Sequence, residues 1–152
     1  MLHGYALQHA ESYREAKEVF ARACTLGSAI GCTNVGAELW LGNQSAPAHD
    51  EACARRLFER ACEVREPFGC GMVGRMMSAA AKTSAEREAA RKHFERACNE
   101  LGGVTCTMYG LHLELGELGP HEPRLVRALL LRACDTGTQE ACDATTAGEL
   151  FR

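Results

Sequence analysis

Nine cysteines stand in a chain of 152 residues, and eight of them fall into Cys24/Cys32, Cys62/Cys70, Cys98/Cys106 and Cys134/Cys142, each pair eight positions apart. Thiols at a fixed spacing can hold zinc, carry electrons or cross-link the chain. Zinc sites favour two to four residues between paired ligands, and no close Cys-x-x-Cys pieces are present to supply them. Redox enzymes use the same absent Cys-x-x-Cys. The favoured reading is a structural bridge from the end of one helix to the first turn of the next, where packed helices bring Cα atoms within roughly 4.4–6.8 Å. Buried free thiols are the alternative. Cys53 has no partner in this frame and reads as a small buried apolar residue, or less simply as a free reactive thiol.

The elements that must position these pairs repeat with them. First cysteines of successive pairs lie thirty-eight, thirty-six and thirty-six residues apart, a period that means a stacked array. Four residues before each stand Phe20, Phe58, Phe94 and Leu130; two before, Arg22, Arg60, Arg96 and Arg132; and immediately before, Ala23, Ala61, Ala97 and Ala133. Four residues after the second cysteine come Gly36, Gly74 and Gly110, with Thr146 breaking the series. The arginines sit in a last helical turn, where a cation complements the helix dipole for about 0.3–1 kcal/mol. A glycine inside a helix costs about 1 kcal/mol relative to alanine, so its return in each copy implies that a neighbouring helix passes close by.

Taken in order, residues 2–10 read as the remnant of a first helix and Glu11 to Thr25 as a second, with Leu26-Gly27-Ser28 ending it. Ala29 to Leu41 is the next helix. Residues 42–49 form a loop, and Asp50 caps a helix running to Cys62. Phe68 to Ala81 follows, its Met72, Met76 and Met77 read as core filling rather than metal ligands. Lys82-Thr83-Ser84 connects it, with Ser84 as cap, to a helix ending near Glu100. Val104 to Leu115, Arg124 to Cys134 and a degrading Gln139 to Arg152 complete the series, with Pro120 and Pro123 interrupting between the first two. The whole of 1–152 is thus a single array of about four cysteine-clasped repeats, its first and last copies incomplete.

A formal charge of −3 with both signs interspersed leaves no basic stripe, which argues against nucleic acid and anionic membrane as partners. No apolar run approaches the roughly 20 residues of a membrane span, so no membrane insertion is expected. The opening Met1-Leu2-His3-Gly4-Tyr5-Ala6 lacks the zones of a secretory signal, whereas the cysteines suggest an oxidising compartment. Gly4 aligns with Gly36, Gly74 and Gly110, which places that copy's cysteine just before Met1 and suggests that Met1 is not the natural start of the array.

The Arg-Ala-Cys endings, the eight-residue step to the second cysteine and the glycine four further on resemble the Sel-one-like repeats of the tetratricopeptide-like solenoids, and within them the Helicobacter cysteine-rich protein family. The resemblance covers nearly the whole chain. It implies an all-α, right-handed superhelical solenoid of antiparallel helix pairs with one disulfide per repeat. The cysteine count for its part suggests a periplasmic or secreted protein, should a signal lie upstream.

Members of that family are described as binding penicillin or hydrolysing β-lactams. The serine machinery for this is Ser-x-x-Lys with Ser-Asp-Asn and Lys-Thr-Gly. Ser78 has its lysine four positions on, at Lys82, and Ser-Asp-Asn is absent. His3, His9, His49, His93, His112 and His121 are scattered without metal-ligand spacing. No catalytic residue, metal or cofactor is therefore assigned. The favoured function is a monomeric, non-catalytic scaffold for a protein or peptide partner, binding in a groove lined by Thr33, Ala37 and Trp40, by Arg75 and Ser78, and by Thr107, Leu111 and Glu114. Trp40 and Arg75 are residue types enriched at binding hot spots, although Trp40 could instead pack against a neighbouring helix. A third reading, a redox or metallocofactor assembly factor, draws on a likeness to cysteine-rich repeat proteins of the mitochondrial intermembrane space and on Cys53 alone.

Overall fold

The computed structural model describes residues 2–42 and 50–146, with backbone only for 2–11. The fold is an all-α solenoid of antiparallel helix pairs: α1 (Leu2–Thr25), α2 (Ala29–Leu41), α3 (Glu51–Glu63), α4 (Pro67–Ala80), α5 (Ser84–Leu101), α6 (Gly103–Glu114), α7 (Pro123–Asp135) and α8 (Gln139–Thr146). Each helix packs on the next, and in addition α4 packs directly on α2 and α6. Helices α2, α4 and α6 thus form one continuous layer, and α3, α5 and α7 stand outside it, separated by grooves.

The short turns are where the chain is most constrained. In each, an odd helix reverses into an even one while the bridged cysteines hold their Cα atoms 4.5–4.7 Å apart. In the first two turns that leaves no room for a side chain opposite the alanine. A Cβ placed on Gly31 would stand 2.8 Å from the Ala23 Cβ, and one on Gly69 would stand 2.7 Å from the Ala61 Cβ. The third copy carries Thr105 instead, whose hydroxyl reaches the carbonyls of Ala97 and Gly102 at 3.1 and 2.6 Å. This explains the alanine before each first cysteine.

The even-to-odd connections are held by a different device. A Cβ on Gly36 would meet the Phe58 ring at 2.8 Å, and one on Gly74 the Phe94 ring at 2.9 Å. The ring of each odd helix therefore lies flat against bare backbone of the preceding even helix. Phe58 and Phe94 are fully buried. In the third copy Leu130 stands over Gly110, and a Cβ there would find its nearest neighbours at 3.8 Å, an ordinary contact. Around these locks lie two apolar clusters, one with Phe94, Tyr109, Leu113 and Val126, the other with Phe58, Met72 and Met76. Met72 and Met76 are buried core filling, in keeping with their spacing.

Helix boundaries follow the local chemistry. Ser28 and Asp50 cap α2 and α3 by accepting from the amides of Gly31 and Cys53 at 3.1 and 2.9 Å. Glu66 caps α4, accepting from Phe68 and Gly69. The cap of α5 is Thr83, not the expected Ser84, because Thr83 and Glu86 satisfy each other's backbone amides in a capping box. The expected break near residue 10 is absent, and α1 runs unbroken from Leu2 to Thr25. Gly74 and Phe94 are twenty positions apart and span a turn of residues 81–83 only, whereas Gly4 and Phe20 are sixteen apart. Four fewer residues leave none for a reversal. Residues 43–49 of the expected loop and 147–152 of the expected last helix lie outside the described residues.

The two kinds of glycine in this column predict opposite outcomes. Gly74→Ala should destabilise the protein by about 1–3 kcal/mol through overpacking against Phe94. Gly110→Ala should be neutral or stabilise it by up to about 1 kcal/mol, since the methyl finds space and the helix gains propensity. Urea denaturation of both variants checks this, and equal effects would refute the account of the locks.

Candidate functional site

All four cysteine pairs are disulfides, and Cys53 is the free cysteine. Cys53 is half-buried in the first turn of α3. The bridges differ in exposure. Cys98 and Cys106 are both buried, at 1% and 0%, while Cys24, Cys32, Cys134 and Cys142 are half-buried and Cys62–Cys70 is buried only on its Cys70 side.

The groove expected on the even-numbered helices divides in two. Trp40 and Arg75 do come together, the Arg75 guanidinium carbon lying 5.4 Å from the centre of the Trp40 ring. That cation–π contact ties α2 to α4. Trp40 also meets Phe58 edge-on at 6.4 Å, so its packing role and its place on the layer's face coexist. Ala37 is half-buried beside it. On α6, Leu111 is 53% exposed, Thr107 is half-buried with its hydroxyl 3.3 Å from the Gly103 carbonyl, and Glu114 pairs with His121 at 3.4 Å. Exposed Leu115 extends this apolar surface.

Thr33 and Ser78 depart from expectation. Thr33 is fully buried, donating to the Glu66 carboxylate at 2.8 Å, and so joins α2 to the N-terminus of α4 instead of facing a partner. Ser78 is 7% exposed and its hydroxyl has no hydrogen-bond partner. Both turn inward because the even helices pack directly on one another: the Met108 thioether occupies the space a side chain at position 71 would need, so α4 and α6 nearly touch. Burial also keeps the Ser78 hydroxyl from acting as an accessible acyl-accepting nucleophile. Among the described residues no group of three or more His, Cys, Asp and Glu side chains is placed to hold a metal ion.

A recess of about 550 Å³ lies elsewhere, between α3 and α5 on the odd-numbered side. Glu59 and Glu63 form one wall, His93 and Arg96 the other, and Val73 with the Cys62–Cys70 bridge lies at the base. The His93 Nε2 is 3.0 Å from the Cys70 carbonyl oxygen, which fixes that ring against α4. Arg96 turns along its own helix to Glu100 at 2.9 Å, and Arg65 reaches the same carboxylate at 3.7 Å. The hydrogen bond from Arg96, then the charges of Arg96 and Arg65, hold the Glu100 carboxyl below its ordinary range. Glu100 consequently stays ionised, and Arg96 anchored, into mildly acidic solution.

The arginine two before each first cysteine occupies the last helical turn, as its spacing implies, at Arg22, Arg60 and Arg132. Arg96 does not, because α5 continues to Leu101 before stopping at Gly102. The residue after each first cysteine, which includes Glu63 and Asn99, carried the signal for the groove.

No family model matches the chain, and no curated protein resembles it closely enough to count as a relative.

Exposure predicts an order of reduction. Under limited dithiothreitol without denaturant, Cys98–Cys106 should open last, because a reductant reaches it only after local unfolding. Alkylation followed by peptide mapping measures this, and equal rates for all four bridges would contradict it.

Proposed function

We propose that this protein is a non-catalytic interaction scaffold of the Sel-one-like, Helicobacter cysteine-rich kind. Its even-numbered helices present a protein or peptide partner with the surface that runs from Trp40 and Arg75 to Leu111 and Leu115. The observation that carries this reading is the arrangement of that surface. An aromatic–guanidinium pair and exposed leucines stand on adjacent helices of a frame clasped at every short turn. Side chains on a rigid frame lose little further freedom on binding, which favours affinity. Extended surfaces on stacked helical pairs are a general binding mode of solenoids.

The bridges also support a place outside the reducing cytosol, in the periplasm or outside the cell, with the mitochondrial intermembrane space as the other oxidising compartment of this kind. No helix among the described residues is long and apolar enough to cross a membrane.

A displayed peptide library selected on the oxidised protein tests the scaffold. Enriched peptides should bind Leu111→Asp and Trp40→Ala at least tenfold more weakly than the parent; Leu111 is exposed, so its change leaves the fold intact. Failure to enrich any peptide, or undiminished binding to both variants, would reject the assignment. Thiol titration in denaturant, on protein isolated from its own cell without reductant, should find one thiol, and nine would remove the case for an oxidising compartment.

A further inference from the structure

The groove between α3 and α5 has a counterpart one repeat along, between α5 and α7, and the two are built on the same frame. Glu59, Glu63, Val73 and Arg96 of the first stand thirty-six positions before Glu95, Asn99, Tyr109 and Arg132 of the second. In the second groove the protein supplies its own occupant. Arg132 lies across it from α7, donating from Nη1 to the Asn99 side-chain oxygen at 3.0 Å and from Nη2 to the Asn99 carbonyl at 2.9 Å. Only about 270 Å³ remains open there.

In the first groove the corresponding arginine is turned away. Arg96 is engaged by Glu100, which Arg65 also approaches, so the position that Arg132 fills next door is empty and the recess is about twice as large. Its receiving residue is Glu63 in place of Asn99, a stronger acceptor for a guanidinium because it carries full charge. Neither Glu63 nor Glu59 has a hydrogen bond or ion pair among the described residues. The two stand four apart on α3, hence on the same face.

We propose that the α3/α5 groove binds an arginine side chain of a partner peptide, its guanidinium seated on Glu63 with Glu59 adding negative charge. The planar fork of a guanidinium matches a carboxylate in two parallel hydrogen bonds, which an ammonium cannot do. The methylene stem would lie over Val73 and the Cys62–Cys70 bridge, apolar surface of the kind such stems cover. A volume of about 550 Å³ falls within the size of ligand clefts generally. This site is separate from the face of the scaffold proposed above: Val73 and Arg75 lie roughly 200° apart around α4, one toward each side.

The test is a titration of the oxidised full chain with the blocked tripeptide Gly-Arg-Gly, followed by amide chemical shifts. Saturable shifts at Glu59, Glu63 and His93 are expected, at least tenfold weaker in affinity for Glu63→Gln and several-fold weaker for the lysine tripeptide. Affinity should also fall with added salt. Glu63 is exposed, so an unchanged melting temperature will show that Glu63→Gln folds. Absence of saturable binding, or equal affinity in Glu63→Gln, would overturn the proposal. So would loss of binding in Leu111→Asp, which would place the peptide on the even-numbered face.

Discussion

The structure depends on how closely two helices approach at each short turn. A Cα separation of 4.5–4.7 Å between bridged cysteines brings the backbones together where only alanine, glycine or a hydroxyl bonded to main chain fits between them. The disulfide and the small residues are therefore one device. Larger side chains at positions 61 or 69 would push the helices apart and the bridge could not close; without the bridge, the small residues would bury little to hold the turn.

Covalent clasps alternate with steric locks along the chain. The odd-to-even turns are clasped by sulfur, and the even-to-odd connections are held by a ring, or by Leu130, lying on a glycine. A helix pair of this size cannot bury its apolar face alone, so each unit relies on both neighbours. The alternation also produces the two faces. Glycine and methionine at the α4–α6 contact, and the Thr33–Glu66 bond between α2 and α4, draw α2, α4 and α6 into one layer. The odd helices stand apart, linked across the gaps by long polar side chains such as Arg132 and Arg65. Arg65 does this from a left-handed backbone position, φ 62°, which glycine holds at positions 27 and 137. For a residue with a side chain that conformation costs roughly 1–2 kcal/mol.

Much of this was legible in the sequence because the determinants are local or repeat exactly once per unit. Cysteine pairing, the Phe58 and Phe94 columns, the glycines at 36 and 74 and the Asp50 cap all belong to that class. What escaped depended on comparing neighbouring units. The direct packing of even helices put Thr33 and Ser78 inside, and nothing in either residue's own type announces that. The single long α1 follows from a four-residue shortfall between Gly4 and Phe20, visible only when that distance is set against the others. The α3/α5 groove depends on which of two carboxylates Arg96 chooses; the column after the first cysteine supplies Glu63, but Glu100, which takes Arg96 instead, lies outside it.

The most direct measurement of the central claim is the stability of the Cys62→Ser/Cys70→Ser protein against its oxidised parent by equilibrium urea unfolding. This bridge closes a short loop in mid-array, so its removal should cost about 2–3 kcal/mol by the chain-entropy model. It should also let the α1–α3 part unfold before the α4–α8 part, separating one transition into two. An unchanged midpoint with a single cooperative transition would contradict the view that the clasps hold the array together.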